Sequence, residues 1–143
     1  MNELVEKALN SLMKEEAKDY LNNPTSVANM AKLIIGAEEQ ENILVFALNT
    51  RNGIIDYEVI HKGTVDQSIV HPRDIFKFAI KSNASKIILA HNHPGGSTQP
   101  SSEDVKTTER IKKGGEILGI ELIDHIIVTP QQKSYSFKGN NLL

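Results

Sequence analysis

The chain has 143 residues, 39% of them hydrophobic and 24% charged, which suits one globular domain with a core of its own. A formal net charge of -2 leaves no nucleic-acid footprint by itself, so charge does not support nucleic acid as a partner. The absence of cysteine excludes disulfides, thiolate nucleophiles and cysteine-held zinc, so any metal must be held by His, Asp or Glu.

No apolar run reaches the roughly eighteen residues of a membrane span, and none is expected. Glu3, Glu6 and Lys7 near the start are unlike a secretory signal, so the expected setting is the cytoplasm. Residues 2 to 22 read as a helix with Val5, Leu9, Leu12 and Tyr20 near one stripe. Pro24 ends it by disfavouring helical geometry at Asn23. Thr25 then caps a second helix, with Val27, Met30, Ala31 and Ile34 on one face and Gly36 as its stop. The acidic run Glu38-Glu39-Gln40-Glu41 reads as a solvated connector. Residues 1–41 are thus expected to form a helical extension packed on a domain spanning 42–143.

Two strands are predicted at Ile43 to Leu48 and Ile54 to Ile60, joined around Arg51-Asn52-Gly53, because Asn-Gly between apolar runs signals a hairpin. Alternation puts Ile55, Tyr57 and Val59 on one face of the second strand and Asp56, Glu58 and Ile60 on the other. Gly63-Thr64 breaks the pattern. Pro72 then opens a helix whose buried stripe is expected to be Ile75, Phe76, Ala79 and Ile80.

The apolar run Ile87-Ile88-Leu89-Ala90 predicts a buried strand that continues into His91, Asn92 and His93. Two residues apart on an extended backbone, His91 and His93 point the same way. A loop rich in Gly and Pro hands over to a helix from Ser102 to about Leu118. In it Asp104, Thr108, Ile111, Gly115 and Leu118 stand at i, i+4, i+7, i+11 and i+14, one inward stripe. A carboxylate on that stripe needs a partner, since an unpaired buried charge is very costly. Gly119 ends the helix, and strands follow at Glu121 to Val128 and Lys133 to Phe137. Strands interleaved with helices give an α/β layered domain.

Two imidazoles at a strand end and a carboxylate at a helix start can converge on one point. Three such ligands, with water in the fourth position, make a catalytic zinc site. A second reading needs no metal: Ser101-x-x-Asp104 is also a capping box, with Ser101 at the N-cap. Ser101 can serve both. Glu103, one residue earlier, should point away.

The spacing of His91, His93, Ser101 and Asp104 resembles the JAMM (MPN-plus) metalloprotease motif. His91-Asn92-His93-Pro94, Pro100-Ser101-x-Glu103-Asp104, the stretch from Leu118 to Val128, Gly63-Thr64 and Val70-His71-Pro72-Arg73 resemble its RadC branch more closely. The likeness runs from about Asn42 to Phe137. It implies a three-layer α/β fold of the JAMM/MPN, cytidine-deaminase-like type, a mixed sheet flanked by helices. It also implies zinc on His91, His93 and Asp104, with Ser101 donating to the developing oxyanion. The general base implied is a glutamate from an earlier strand, which matches Glu58, with Asp56 on the same face as the alternative. The reaction implied is hydrolysis of an amide or isopeptide bond, with a peptide or isopeptide as substrate.

Two further readings stand beside that one: phosphodiester cleavage by the same centre, in keeping with the DNA-repair label of RadC proteins, and a non-catalytic assembly module. Gly95 stands where that family usually has Ser and Asp74 where it usually has Glu, and neither change removes a proposed ligand. The helix-hairpin-helix-like region typical of RadC proteins has only about forty residues to occupy here. His71 and Arg73 could line the pocket, Asn92 and Thr64 could support the ligands, and Asp124-His125 reads as a strand pair supporting the fold.

Overall fold

Three stretches of the chain carry apolar runs, Ile43 to Leu48, Ile87 to Ala90 and Ile126 to Val128, and these become the middle of the sheet. In the computed structural model, which describes residues 3–4, 24–62 and 70–143, they are β1 (Asn42–Leu48), β3 (Lys86–Asn92) and β4 (Glu121–Val128). A strand covered on both faces has no use for alternation, and these three are buried almost end to end. β2 (Ile54–Lys62) and the short β5 (Ser134–Ser136) take the edges, in the order β2-β1-β3-β4-β5. β3 and β4 run parallel while the other neighbours are antiparallel, so the sheet is mixed.

A parallel pair needs a crossover. Helix α3 (Ser102–Leu118) supplies it between β3 and β4, while α1 (Pro24–Ile35) precedes β1 and α2 (Pro72–Lys81) precedes β3. On one face Val27, Met30, Ala31 and Ile35 of α1 pack on Leu44, Phe46, Ile88 and Ile126. On the other, Ile75, Phe76 and Ala79 of α2 and Ile111 of α3 pack on Val45, Ala47, Leu89 and Leu122. This is the sheet flanked by helices that the JAMM/MPN likeness implies. The helix expected over residues 2–22 falls almost wholly outside the described residues, as do Gly63 and Thr64. No helix among the described residues is long and apolar enough to cross a membrane.

Four local expectations are corrected. Ile55 does not share a face with Tyr57 and Val59: it packs against the α2/α3 side, they against the α1 side. The pairing passes from Leu48–Ile54 to Ala47–Asp56, so Ile55 is an extra residue, and period-2 counting fails across a bulge. In α2, Phe78 is buried and Ile80 is 58% exposed. At about 100° per residue, Ile80 stands roughly 140° from Ile75. Leu118, at the outer end of its stripe, is 50% exposed, where Gly119 turns left-handed at φ 73°. Helix α1 also starts at Pro24, one residue before its expected cap.

The turn from α3 into β4 aims β4 alongside β3. The N–H of Ile120 donates to the carbonyl of Gly115 at 2.9 Å, folding the chain back on the helix. A Cβ on Gly115 would lie 2.2 Å from the carbonyl oxygen of Ile120, whereas one on Gly95 would meet nothing within 4 Å. Gly115→Ala is therefore expected to lower stability by about 1–3 kcal/mol, and Gly95→Ala to stay within about 0.5 kcal/mol. Urea denaturation of the two variants checks this, and equal midpoints would contradict it.

Candidate metal centre

Where β3 leaves the sheet, its last imidazoles turn toward the start of α3. His91 is fully buried, and the side chain of His93 is 16% exposed. The N–H of His93 donates to the carbonyl of Val128 at 2.9 Å, so the backbone stays in the ladder one residue past β3. The loop then turns back, with Gly96 N–H donating to His93 O and Gly96 at φ 92°, a conformation that suits glycine. Ser101 caps α3. Its side chain accepts from Asp104 N–H at 3.0 Å, while the Asp104 carboxylate accepts from Ser101 N–H at 2.8 Å.

The capping box and the ligand set are not rivals here, because the same carboxylate serves both. Asp104 Oδ2 also lies 3.1 Å from His93 Nε2, and Oδ1 lies 3.4 Å from His91 Nε2. The two Nε2 atoms are 2.8 Å apart. Ligand atoms about 2.0–2.1 Å from a tetrahedral zinc stand about 3.3 Å from one another, so these three side chains fit such an ion. The outer nitrogens fit as well. His93 Nδ1 lies 2.7 Å from the carbonyl of Ser97, which only accepts, so Nδ1 carries the proton and a neutral ring leaves Nε2 bare.

A fourth side chain joins them. Glu41 Oε1 is 3.8 Å from His91 Nε2, and ligand atoms of Glu41, His91, His93 and Asp104 lie within 4.8 Å of one another. The solvated-connector reading holds for the exposed Glu38, Glu39 and Gln40 but not for Glu41. Asn92, completely buried, brings it in. Its side chain accepts from Asn42 N–H at 2.6 Å and donates to the carbonyls of Gln40 at 2.8 Å and Glu38 at 3.3 Å. The backbone on both sides of Glu41 is thereby clamped to the strand that carries the two histidines. Asn92 supports the site as expected, but through this connector rather than through a histidine. A cue existed in the sequence: Glu41 is the last polar side chain before an asparagine that opens a wholly apolar strand.

Glu58 lies elsewhere. It pairs with Val45, which pairs with Leu89, so it stands two strands from β3 and two positions down the ladder from His91. Two strand spacings alone are roughly 10 Å. Glu58 instead lines a groove with Asp74, Lys77 and Lys81, a position that does not suit the role of base. Asp56 is exposed and accepts from the neighbouring Tyr57 N–H. His71 and Arg73, at the start of α2, are exposed and outside the cluster. Glu103 points to solvent near Lys106, 3.9 Å away. Asp124 supports the fold as expected: it accepts from His125 N–H, Lys138 N–H and the Ser136 hydroxyl. His125 does more, since its Nε2 is 2.6 Å from His91 Nδ1.

The electrostatics match a site built for a cation. Burial alone would raise the Asp104 carboxyl, but the imidazoles of His91 and His93 beside it hold it well below the usual carboxylate range. The hydrogen bond to Asp104 raises His93, outweighing its burial. Burial pushes His125 far below the ordinary histidine range, so it is neutral.

Among known proteins, the family profile described as the RadC-like JAB domain matches residues 21–142. A UPF0758 protein of Finegoldia magna is 47% identical over 129 residues, covering 90% of this chain and 58% of that protein. A UPF0758 protein of Staphylococcus haemolyticus is 43% identical over 115 residues, covering 80% and 50%. One from Rubrobacter xylanophilus is 39% identical over 118 residues, covering 82% and 52%. The chain spans about half the length of these relatives, whose names state no activity.

Without metal, the pair of charges on His93 and Asp104 stabilises the fold in a definite pH window. The raised His93 contributes fully below about pH 6.5, its unfolded value, and its contribution is lost as pH rises through the folded value. The lowered Asp104 contributes above about pH 4 and loses its share on acidification. A bound cation competes with the His93 proton and so favours the opposite direction. Burial of neutral His125 favours alkaline pH, so the His93 window is read against a variant: in metal-stripped protein the midpoint advantage of wild type over His93→Ala is expected to be larger at pH 5.5 than at pH 8.5. Added zinc should stabilise wild type more at pH 8.5, and His93→Ala should weaken that stabilisation.

Proposed function

The chain belongs to the RadC-like JAB domain family, and on that basis we propose that it is a zinc-dependent hydrolase cleaving an amide or isopeptide bond with water. The observation that carries this reading is the convergence of Glu41, His91, His93 and Asp104 from three separate segments. Two imidazole nitrogens and one carboxylate form a donor set that suits zinc better than magnesium or calcium, which take oxygen ligands. Zinc held by His91, His93 and Asp104 supplies Lewis acidity toward a carbonyl and lowers the pKa of a coordinated water to about 7.

The chain's own groups divide the remaining work. Glu41 is the fourth member and the most open, its side chain 36% exposed against 14% for Asp104. Its place beside His91 suits a general base that takes the proton of the attacking water and returns it to the leaving amine. Glu41 thus replaces Glu58 in that role. Ser101 accepts from Asp104 N–H with its oxygen, so its hydroxyl proton is free to donate to a developing oxyanion. Such a donor is typically worth about 3 kcal/mol in the transition state. His93, tied to the Ser97 carbonyl, and Asp104, tied to the helix start, are held in place before substrate arrives. Little reorganisation is then needed at the moment of reaction. The proposed substrate is a peptide or isopeptide, and the net charge of -2 gives phosphodiesters no comparable support.

The test is a panel of peptide amides and lysine isopeptides run beside single-stranded and nicked DNA. Glu41→Gln is expected to keep about one zinc per chain while hydrolysis falls roughly 10²–10⁴-fold. Glu58→Gln should leave the rate near wild type. Loss of activity in Glu58→Gln but not in Glu41→Gln would reverse the assignment of the base. Cleavage of DNA alone, or of nothing in the panel by zinc-loaded protein, would overturn the proposed reaction.

A further inference from the structure

Behind His91 lies a buried polar chain that the proposed reaction does not use. The hydroxyl of Thr108 is 2.7 Å from the carbonyl oxygen of Asp104, one helical turn back, and 2.6 Å from His125 Nδ1. His125 Nε2 is in turn 2.6 Å from His91 Nδ1. Thr108, His125 and His91 are 2%, 1% and 0% exposed, so bulk water does not compete for these bonds. The imidazole of His125 lies flat on Phe137, ring centres 4.5 Å apart and planes at 9°, which fixes its orientation.

We propose that Thr108 and His125 are positioning residues that commit His91 to the tautomer protonated on Nδ1, leaving Nε2 bare toward the metal. The inference rests on the reading of His91 as a metal ligand and follows from counting protons. Two oxygens 2.7 Å apart need a hydrogen between them, and a carbonyl has none, so Thr108 donates its one proton to Asp104. Its contact with His125 Nδ1 can then only be one it accepts. A neutral imidazole carries a single N–H, so His125 has its proton on Nδ1 and a lone pair on Nε2. His91 Nδ1 must donate to that lone pair.

The chain has one polarity, and a single hydroxyl sets it. Reversed, it would leave a proton on His91 Nε2, and an N–H pointing at the centre cannot ligate. The usual partner of a metal-bound histidine is a carboxylate, carbonyl or water. A histidine in that place is ambivalent until something takes its other proton, and here Thr108 does. The relay starts on the backbone of one ligand, Asp104, and ends on the ring of another, His91. In sequence, Thr108 is one more position on the inward stripe of α3 and His125 a buried strand residue. Only the register, which sets His125 opposite Leu89 and diagonal to His91, brings the two rings together.

The experiment reads the tautomer directly. Long-range ¹H–¹⁵N spectra of metal-stripped, ¹⁵N-histidine-labelled protein should show His91 protonated on Nδ1 and bare on Nε2. Thr108→Val keeps the shape but removes the acceptor, and is expected to mix the His91 tautomers and weaken zinc binding about 10–100-fold in competition with a chelator. Thr108→Ser should restore both, and His125→Phe, which keeps the stack on Phe137, should weaken zinc binding like Thr108→Val. A purely packing role for Thr108 would leave the His91 spectrum unmoved. Protonation of His91 on Nε2 in the wild type, or an unchanged spectrum and affinity in Thr108→Val, would overturn the proposal. Should wild type show the expected tautomer yet take up no zinc, the metal reading fails while the relay stands.

Discussion

The structure of the site depends on one carboxylate with two obligations. Asp104 closes the first turn of α3 by accepting from the Ser101 N–H, and it faces the Nε2 atoms of His91 and His93. Both obligations favour its charged form. The start of a helix offers unpaired N–H groups and the positive end of the helix dipole, and two histidines offer donors or a shared cation. A capping interaction is worth about 1 kcal/mol, which alone would not justify placing a carboxylate on a core-facing stripe. With the histidines beside it the charge is paired, and the helix start is pinned to the strand end. The distance between these two elements is therefore set by the chemistry of the site as well as by the packing of Ile111 beneath it.

Around this carboxylate every inner polar group is spoken for. His93 is turned by the Ser97 carbonyl, His91 by His125, and His125 by Thr108. Asn92, between the two histidines in sequence, faces the other way and uses both ends of its amide to hold the connector that carries Glu41. Such satisfaction is obligatory, because an unpaired buried polar group costs about 1–3 kcal/mol. It also has a functional consequence. Side chains already locked by their own partners need not reorganise when a cation or a substrate arrives, so binding energy is not spent on ordering them.

Most departures from what the sequence implies arise between elements. Alternation puts Ile55 on the face of Tyr57 and Val59, which holds only while the strand keeps its register, and a bulge intervenes. Glu58 is the base that the JAMM likeness implies, matched as a glutamate on an earlier strand. The ladder sets it two strands from β3, in a groove with Lys77 and Lys81. Glu41 was hidden in an acidic run whose other members are exposed, and composition cannot separate one glutamate from its neighbours. His125 looked like a supporting strand residue because its partner, Thr108, is 17 positions away. Each missed contact joins two elements.

Relations within single elements were the more legible, with the buried stripe of α2, which includes Phe78 and not Ile80, as an exception. The apolar run Ile87 to Ala90 marked β3 as a buried strand, because a strand covered on both faces shows no polar side. His91 and His93 could be placed side by side, and Ser101 and Asp104 at a helix start, because those relations span four residues or fewer and follow from backbone geometry alone. The tertiary structure decided which carboxylate faces the histidines from across the site and which hydroxyl orders the protons behind them. Those choices depend on strand order, bulges and the angle at which α3 meets the sheet. No local period encodes these, since they are settled only when both faces of the sheet are packed.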